Sequence, residues 1–87
     1  MLKIQRSSNG QVTYTLSGQI EEGNIAELET VIRSEARGRP IVLDLRDLTL
    51  VSRDAIAFLD RCEVNGITLL NCPAYIREWI KSEREAR

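Results

Sequence analysis

Ile41-Val42-Leu43-Asp44-Leu45-Arg46-Asp47-Leu48-Thr49-Leu50-Val51-Ser52-Arg53-Asp54-Ala55 holds a strand, a polar break and a helix start in fifteen residues. Residues 41–45 are almost continuously apolar and do not alternate, which suits a central strand covered on both faces inside a parallel sheet. Arg46-Asp47 interrupts the run and leads through Leu48-Thr49-Leu50-Val51 to Ser52, so a surface loop is placed over 46–54. After Ser52 the period changes, with Ala55, Ile56, Phe58, Leu59 and Cys62 at helical steps, and a helix is predicted over 53–65. Ser52 has the chemistry of an N-cap, and Asp54 puts negative charge near the positive end of the helix.

Downstream, Asn65-Gly66 ends this helix, residues 67–70 make a short strand, and Pro73 opens a last helix carrying Tyr75, Ile76, Trp79 and Ile80 on one side. Upstream, Ile25, Leu28 and Ile32, flanked by Val31, predict an amphipathic helix over 23–36, stopped by Gly38 and Pro40. Before it, Leu2, Ile4 and Arg6 alternate with polar residues, as do Val12, Tyr14 and Leu16. Period two on either side of Asn9-Gly10 predicts a β-hairpin with a type I′ turn. The order is β-β-α-β-α-β-α, an α/β domain whose helices pack on a four-stranded mixed sheet, with strands 3 and 4 parallel through a right-handed crossover.

Eighty-seven residues leave room for one hydrophobic core, and 43% apolar with 29% charged residues is the composition of a folded domain. Twelve Lys and Arg face thirteen Asp and Glu, with no basic stripe; Glu35 stands inside the densest group, Arg33, Arg37 and Arg39. Nucleic acid is therefore not an expected partner. No apolar run approaches the roughly 20 residues of a membrane span, and no secretory apolar centre follows Met1, so the expected compartment is the cytoplasm. Cys62 and Cys72 are read as reduced core thiols.

The chain has no histidine, which removes Ser-His-Asp and Cys-His triads and leaves no side chain that titrates near neutrality in its unperturbed state. Two thiols ten positions apart do not supply a zinc ligand set. Carboxylates at Asp44, Asp47 and Asp54 offer an option for magnesium, weighed against their ordinary use in turns and caps. No cofactor and no enzymatic activity is expected, because no convergent acid/base pair is visible.

Three segments resemble the STAS domain, the fold of bacterial anti-sigma factor antagonists and of sulfate-transporter tails. Thr15-Leu16-Ser17-Gly18-Gln19-Ile20-Glu21, followed by Ala26-Glu27-Leu28, is similar to the family's Leu-x-Gly-x-hydrophobic-Asp strand end. Residues 41–48 resemble its central strand and Asp-Leu-Ser-x-Val continuation. Residues 66–77 resemble its late strand and the Pro-x-hydrophobic-Arg helix opening. Together they cover most of residues 12–80. Relative to typical members the chain stops before one more strand and helix, so the resemblance implies one STAS-like domain over 1–87, truncated at its C-terminus. An exposed sheet edge would follow, open to a homodimer; Tyr75, Ile76 and Trp79 are expected to pack on the chain's own sheet, with service as cover in such a dimer as the alternative.

Where typical antagonists carry Asp-Ser-Ser-Gly or Asp-Ser-Thr-Gly, this chain reads Ser52-Arg53-Asp54-Ala55. Arg53 occupies the phospho-acceptor position, so the family's kinase switch is expected to be lost. A phosphate on Ser52 would sit beside Arg53 at a helix N-terminus, and the simpler role of Ser52 is the N-cap. The resemblance implies a phosphorylation-independent regulatory module that docks a protein through the 46–54 loop and the exposed face of helix 53–65. The contact residues would be Arg46, Asp47, Ser52, Arg53, Asp54, Ala57, Asp60 and Arg61, with Arg53 as anchor. Partners would be an anti-sigma or ATPase-type regulator, or a transporter subunit. The alternative from another class is a small-molecule or nucleotide-binding module built on Ser52, Arg53 and the helix N-terminus, for which no Gly-rich cradle exists.

Overall fold

A computed structural model describes residues 2–35 and 40–86 of the chain. Alternating apolar residues produce the first two strands, β1 (Leu2–Ser8) and β2 (Val12–Ile20), paired antiparallel from Leu2↔Gly18 to Ser8↔Val12. Their connection is a three-residue loop, Asn9-Gly10-Gln11, in which the Asn9 N–H donates to the Gln11 carbonyl at 3.0 Å. Gly10 has φ +80° while Asn9 is not in the positive-φ region, so the hairpin forms without the type I′ turn, which requires positive φ at both central residues.

The helix after β2 is α1 (Glu22–Arg33), entered through a capping box in which Asn24 Oδ1 accepts the Glu21 N–H at 3.0 Å. α1 ends at Arg33 with Ser34 as its C-cap, short of the expected end at 36, and the stop expected at Gly38 lies outside the described residues. Strand β3 (Ile41–Val51), helix α2 (Arg53–Val64), strand β4 (Thr68–Leu70) and helix α3 (Ala74–Glu85) complete the order β-β-α-β-α-β-α. The sheet order is β1-β2-β3-β4, with β2, β3 and β4 parallel. None of the described helices is long and apolar enough to cross a membrane.

Because strand order rises steadily across the sheet, right-handed crossovers place α1 and α2 on the same face. One core cluster accordingly joins Val12, Tyr14 and Leu16 of β2, Leu43 and Leu45 of β3, Leu28 of α1, Ile56 and Leu59 of α2, and Ile76 and Ile80 of α3. β3 is interior, but the described helices pack in one core cluster and do not cover it on both sides. Val42 lies outside the cluster, level with Thr13 and Thr68 on the opposite face, although it is only 5% exposed. The apolar run reads as doubly covered because those flanking strands screen Val42.

The largest correction concerns the loop placed over 46–54. β3 runs through Arg46-Asp47 to Val51, and only Ser52 separates it from α2. Pairing with β2 steps from Thr15↔Asp44 to Ser17↔Asp47, then from Gly18↔Leu48 to Gln19↔Leu50, so β3 carries an extra residue at each step. Leu45 and Leu48 are buried and Val51 half-buried, while the pairs between them are exposed. Two bulges turn a period of two into three, and that is what mimics a loop.

Tyr75 also departs from expectation. Ile76 and Ile80 are buried and Trp79 is half-buried, but Tyr75 stays 47% exposed, its hydroxyl donating to the Thr49 carbonyl at 3.1 Å. Elsewhere, Glu35 accepts both the Tyr14 hydroxyl and, at 2.7 Å, Arg6 Nε, tying the hairpin to the end of α1. Burial raises the Tyr14 phenol above its ordinary range, and the bond to Glu35 adds to the shift.

Candidate protein-docking face

α2 is amphipathic and opens on Ser52, whose side chain accepts the Ala55 N–H at 3.1 Å. It closes where the Asn65 N–H reaches the Arg61 and Cys62 carbonyls, before Gly66 at φ +91°. Ala55, Ile56, Phe58, Leu59 and Cys62 enter the core, which leaves Arg53, Asp54, Ala57, Arg61 and Val64 facing solvent. Burial pushes the Cys62 thiol up to about 12 and raises Cys72 as well, so neither is a ready thiolate.

Five of the eight expected contact residues come together. Arg53, Asp54, Ala57, Asp60 and Arg61 line a shallow depression of about 330 Å³ between α2 and α3, closed on the far side by Glu83. Arg53 Nε donates to Glu83 Oε1 at 3.0 Å with its side chain 81% exposed. Arg61 stands 3.6 Å from Glu29 of α1.

The other expected residues have different placements. Ser52 is half-buried and its hydroxyl serves the cap. Arg46 and Asp47 are exposed on β3 and do not line the depression; Arg46 lies 3.6 Å from Asp44 instead. Asp60 is expected as a surface contact but is only 3% exposed, its Oδ1 accepting from Arg84 Nε of α3 at 2.6 Å. Its helical position faces the α2–α3 seam, where a carboxylate is tolerated because a guanidinium arrives from the neighbouring helix.

Sequence reasoning missed the α3 half of this seam. Arg77 Nη1 donates to both oxygens of Glu63 at 2.9 Å, and Arg84 Nη2 reaches the same carboxylate at 2.7 Å. The Arg77 hydrogen bond, reinforced by Arg84, holds the Glu63 carboxyl below its ordinary range against the opposing effect of burial. The available signal was the spacing of Arg77 and Arg84 beside the Ile76–Ile80 stripe. It marks one face of the helix but not which acid lies across it.

Among the described residues, no three His, Cys, Asp or Glu side chains come together as a metal-ligand group. Asp44 instead accepts the Arg46 N–H at 3.0 Å and Asn71 Nδ2 at 3.3 Å. The depression sets two arginines among three carboxylates, and its arginines already face Glu83 and Glu29. No family model matches the chain, and a search of curated proteins finds no match.

Proposed function

We propose that the chain is a non-enzymatic, STAS-like regulatory module that docks a protein partner on the solvent face of α2, independently of phosphorylation. One observation carries the reading. Arg53, Asp54, Ala57 and Arg61 stand exposed along one helix, with the small Ala57 side chain between charges and a depression beside it. A low ridge of both charge signs suits a protein surface, where paired charges set register and partner choice. It suits a phosphate poorly, because each arginine already faces a carboxylate and the first-turn Ala55 amide is taken by Ser52. Docking is therefore favoured over nucleotide binding. The partner class implied by the resemblance is an anti-sigma or ATPase-type regulator, or a transporter subunit.

The test is affinity capture from the native cell with the wild-type chain and with Arg53→Glu, whose exposed side chain makes a folding defect easy to exclude by circular dichroism. Recovery of such a regulator or subunit, lost on charge reversal, supports the reading. Capture indifferent to Arg53→Glu, or saturable nucleotide binding, overturns it.

A further inference from the structure

A second groove runs between α1 and α2. Each of these helices links two parallel strands, so both run against the strand direction and parallel to one another. At their C-terminal ends the groove opens to about 280 Å³ over an apolar floor of Ile32, Phe58, Cys62 and Ile67, with Arg33 and Arg61 on its rim. Towards their N-terminal ends it continues as a shallower space of about 360 Å³ flanked by Glu22 and Asp54. Glu29 and Arg61 line both parts.

Charge is distributed unevenly along this groove. Arg33 and Arg61 share one carboxylate, Glu29, each at 3.6 Å. Glu22 and Asp54 form no ion pair among the described residues, and sit at the opposite end. Two parallel helices also have aligned dipoles, which favour a third helix running the other way. Side-chain charge and dipole thus select the same orientation.

We infer that this groove receives an amphipathic helix of the docked partner, antiparallel to α1 and α2. The incoming helix carries an acidic residue in its first turn over Arg33 and Arg61. A large apolar side chain sits on the Ile32–Phe58–Cys62–Ile67 floor, and a basic residue in the last turn reaches Glu22 and Asp54. The inference rests on the docking reading above and adds the chemistry of what docks.

The probe is a labelled synthetic helix of about 15 residues, sized to the groove, with Glu in its first turn, Leu at helical spacing and Lys in its last turn. A second peptide exchanges the Glu and Lys. Anisotropy titration is expected to show the first binding about tenfold tighter, as two partly exposed charge contacts allow. Arg33→Glu with Arg61→Glu reverses the order, and amide shifts fall on Ile32, Phe58 and Cys62. If that double variant does not fold, Arg33→Gln with Arg61→Gln is expected to abolish the preference. Equal affinities, no saturable binding, or shifts confined to another surface overturn the inference. Sedimentation of the free chain as a dimer burying these residues does so too, since a second copy then fills the groove. Native-partner capture separates the two readings: loss with Arg53→Glu but not with Arg33→Glu removes the groove and leaves docking on α2, whereas capture indifferent to Arg53→Glu removes the docking reading on which the groove rests.

Discussion

Asp44 Oδ1 accepts the backbone N–H of Arg46 at 3.0 Å, and this bond fastens the first bulge of β3. A bulge takes an amide out of the ladder, and a side chain two residues earlier can satisfy it, as Asp does in tight turns. The same oxygen accepts Asn71 Nδ2 at 3.3 Å, beside the backbone of Asn71 at φ +53°. One buried carboxylate therefore shapes both the end of β4 and the path by which β3 reaches α2.

Asp44→Ala is expected to destabilise the fold by about 1–3 kcal/mol, because two part-buried hydrogen bonds lose their charged acceptor. Asp44→Asn retains an acceptor oxygen and should recover much of that loss. Urea denaturation of both variants checks the difference, and equal midpoints for the two would show that the bulge does not depend on this acceptor.

Ser52→Ala removes the cap of α2 and should lower stability by about 1 kcal/mol, with Ser52→Asp close to wild type. Thermal melts decide it. A Ser52→Ala chain that melts like wild type yet no longer captures a partner would assign Ser52 to contact rather than to capping.

Glu63 has its folded pKa lowered, first by Arg77 and then by Arg84, so its contribution is present above the ordinary glutamate value of 4.5 and is lost as pH falls through the depressed folded value. Glu63→Gln should therefore melt below wild type at neutral pH, and the gap should close in acid below that range. Melting curves from neutral pH down to about pH 3 test this, and a gap that widens in acid would contradict it.

Cys62, with its thiol at about 12, should resist a thiol reagent in the folded chain, and the half-buried Cys72 should react slowly. In denaturant both should label at the rate of an unperturbed cysteine. Rapid labelling of Cys62 without denaturant would contradict both the burial of its thiol and the raised pKa that follows from it.

Most of the element order was legible locally. Val12, Tyr14 and Leu16 alternate, Ile56, Leu59 and Cys62 recur at helical steps, and Ser52 marks a cap, all readable from neighbours in the chain. Such signals work because backbone geometry fixes which side chains share a face. The two misreadings have separate causes: at Arg46-Asp47 a bulge breaks period two and reads as a loop, whereas Asn9-Gly10 suits a two-residue turn but the loop takes in Gln11 as well.

Periodicity and turn chemistry thus set most of the strands, the helices and the exposed ridge Arg53-Asp54-Ala57-Arg61 from neighbours along the chain. Folding alone brought Arg84 to Asp60 across 24 residues, Arg53 to Glu83 across 30 and Arg61 to Glu29. Those pairings depend on how two helices settle against each other on one sheet face. A residue's own neighbours dictate which way it points, whereas the group it meets is chosen by packing between distant segments.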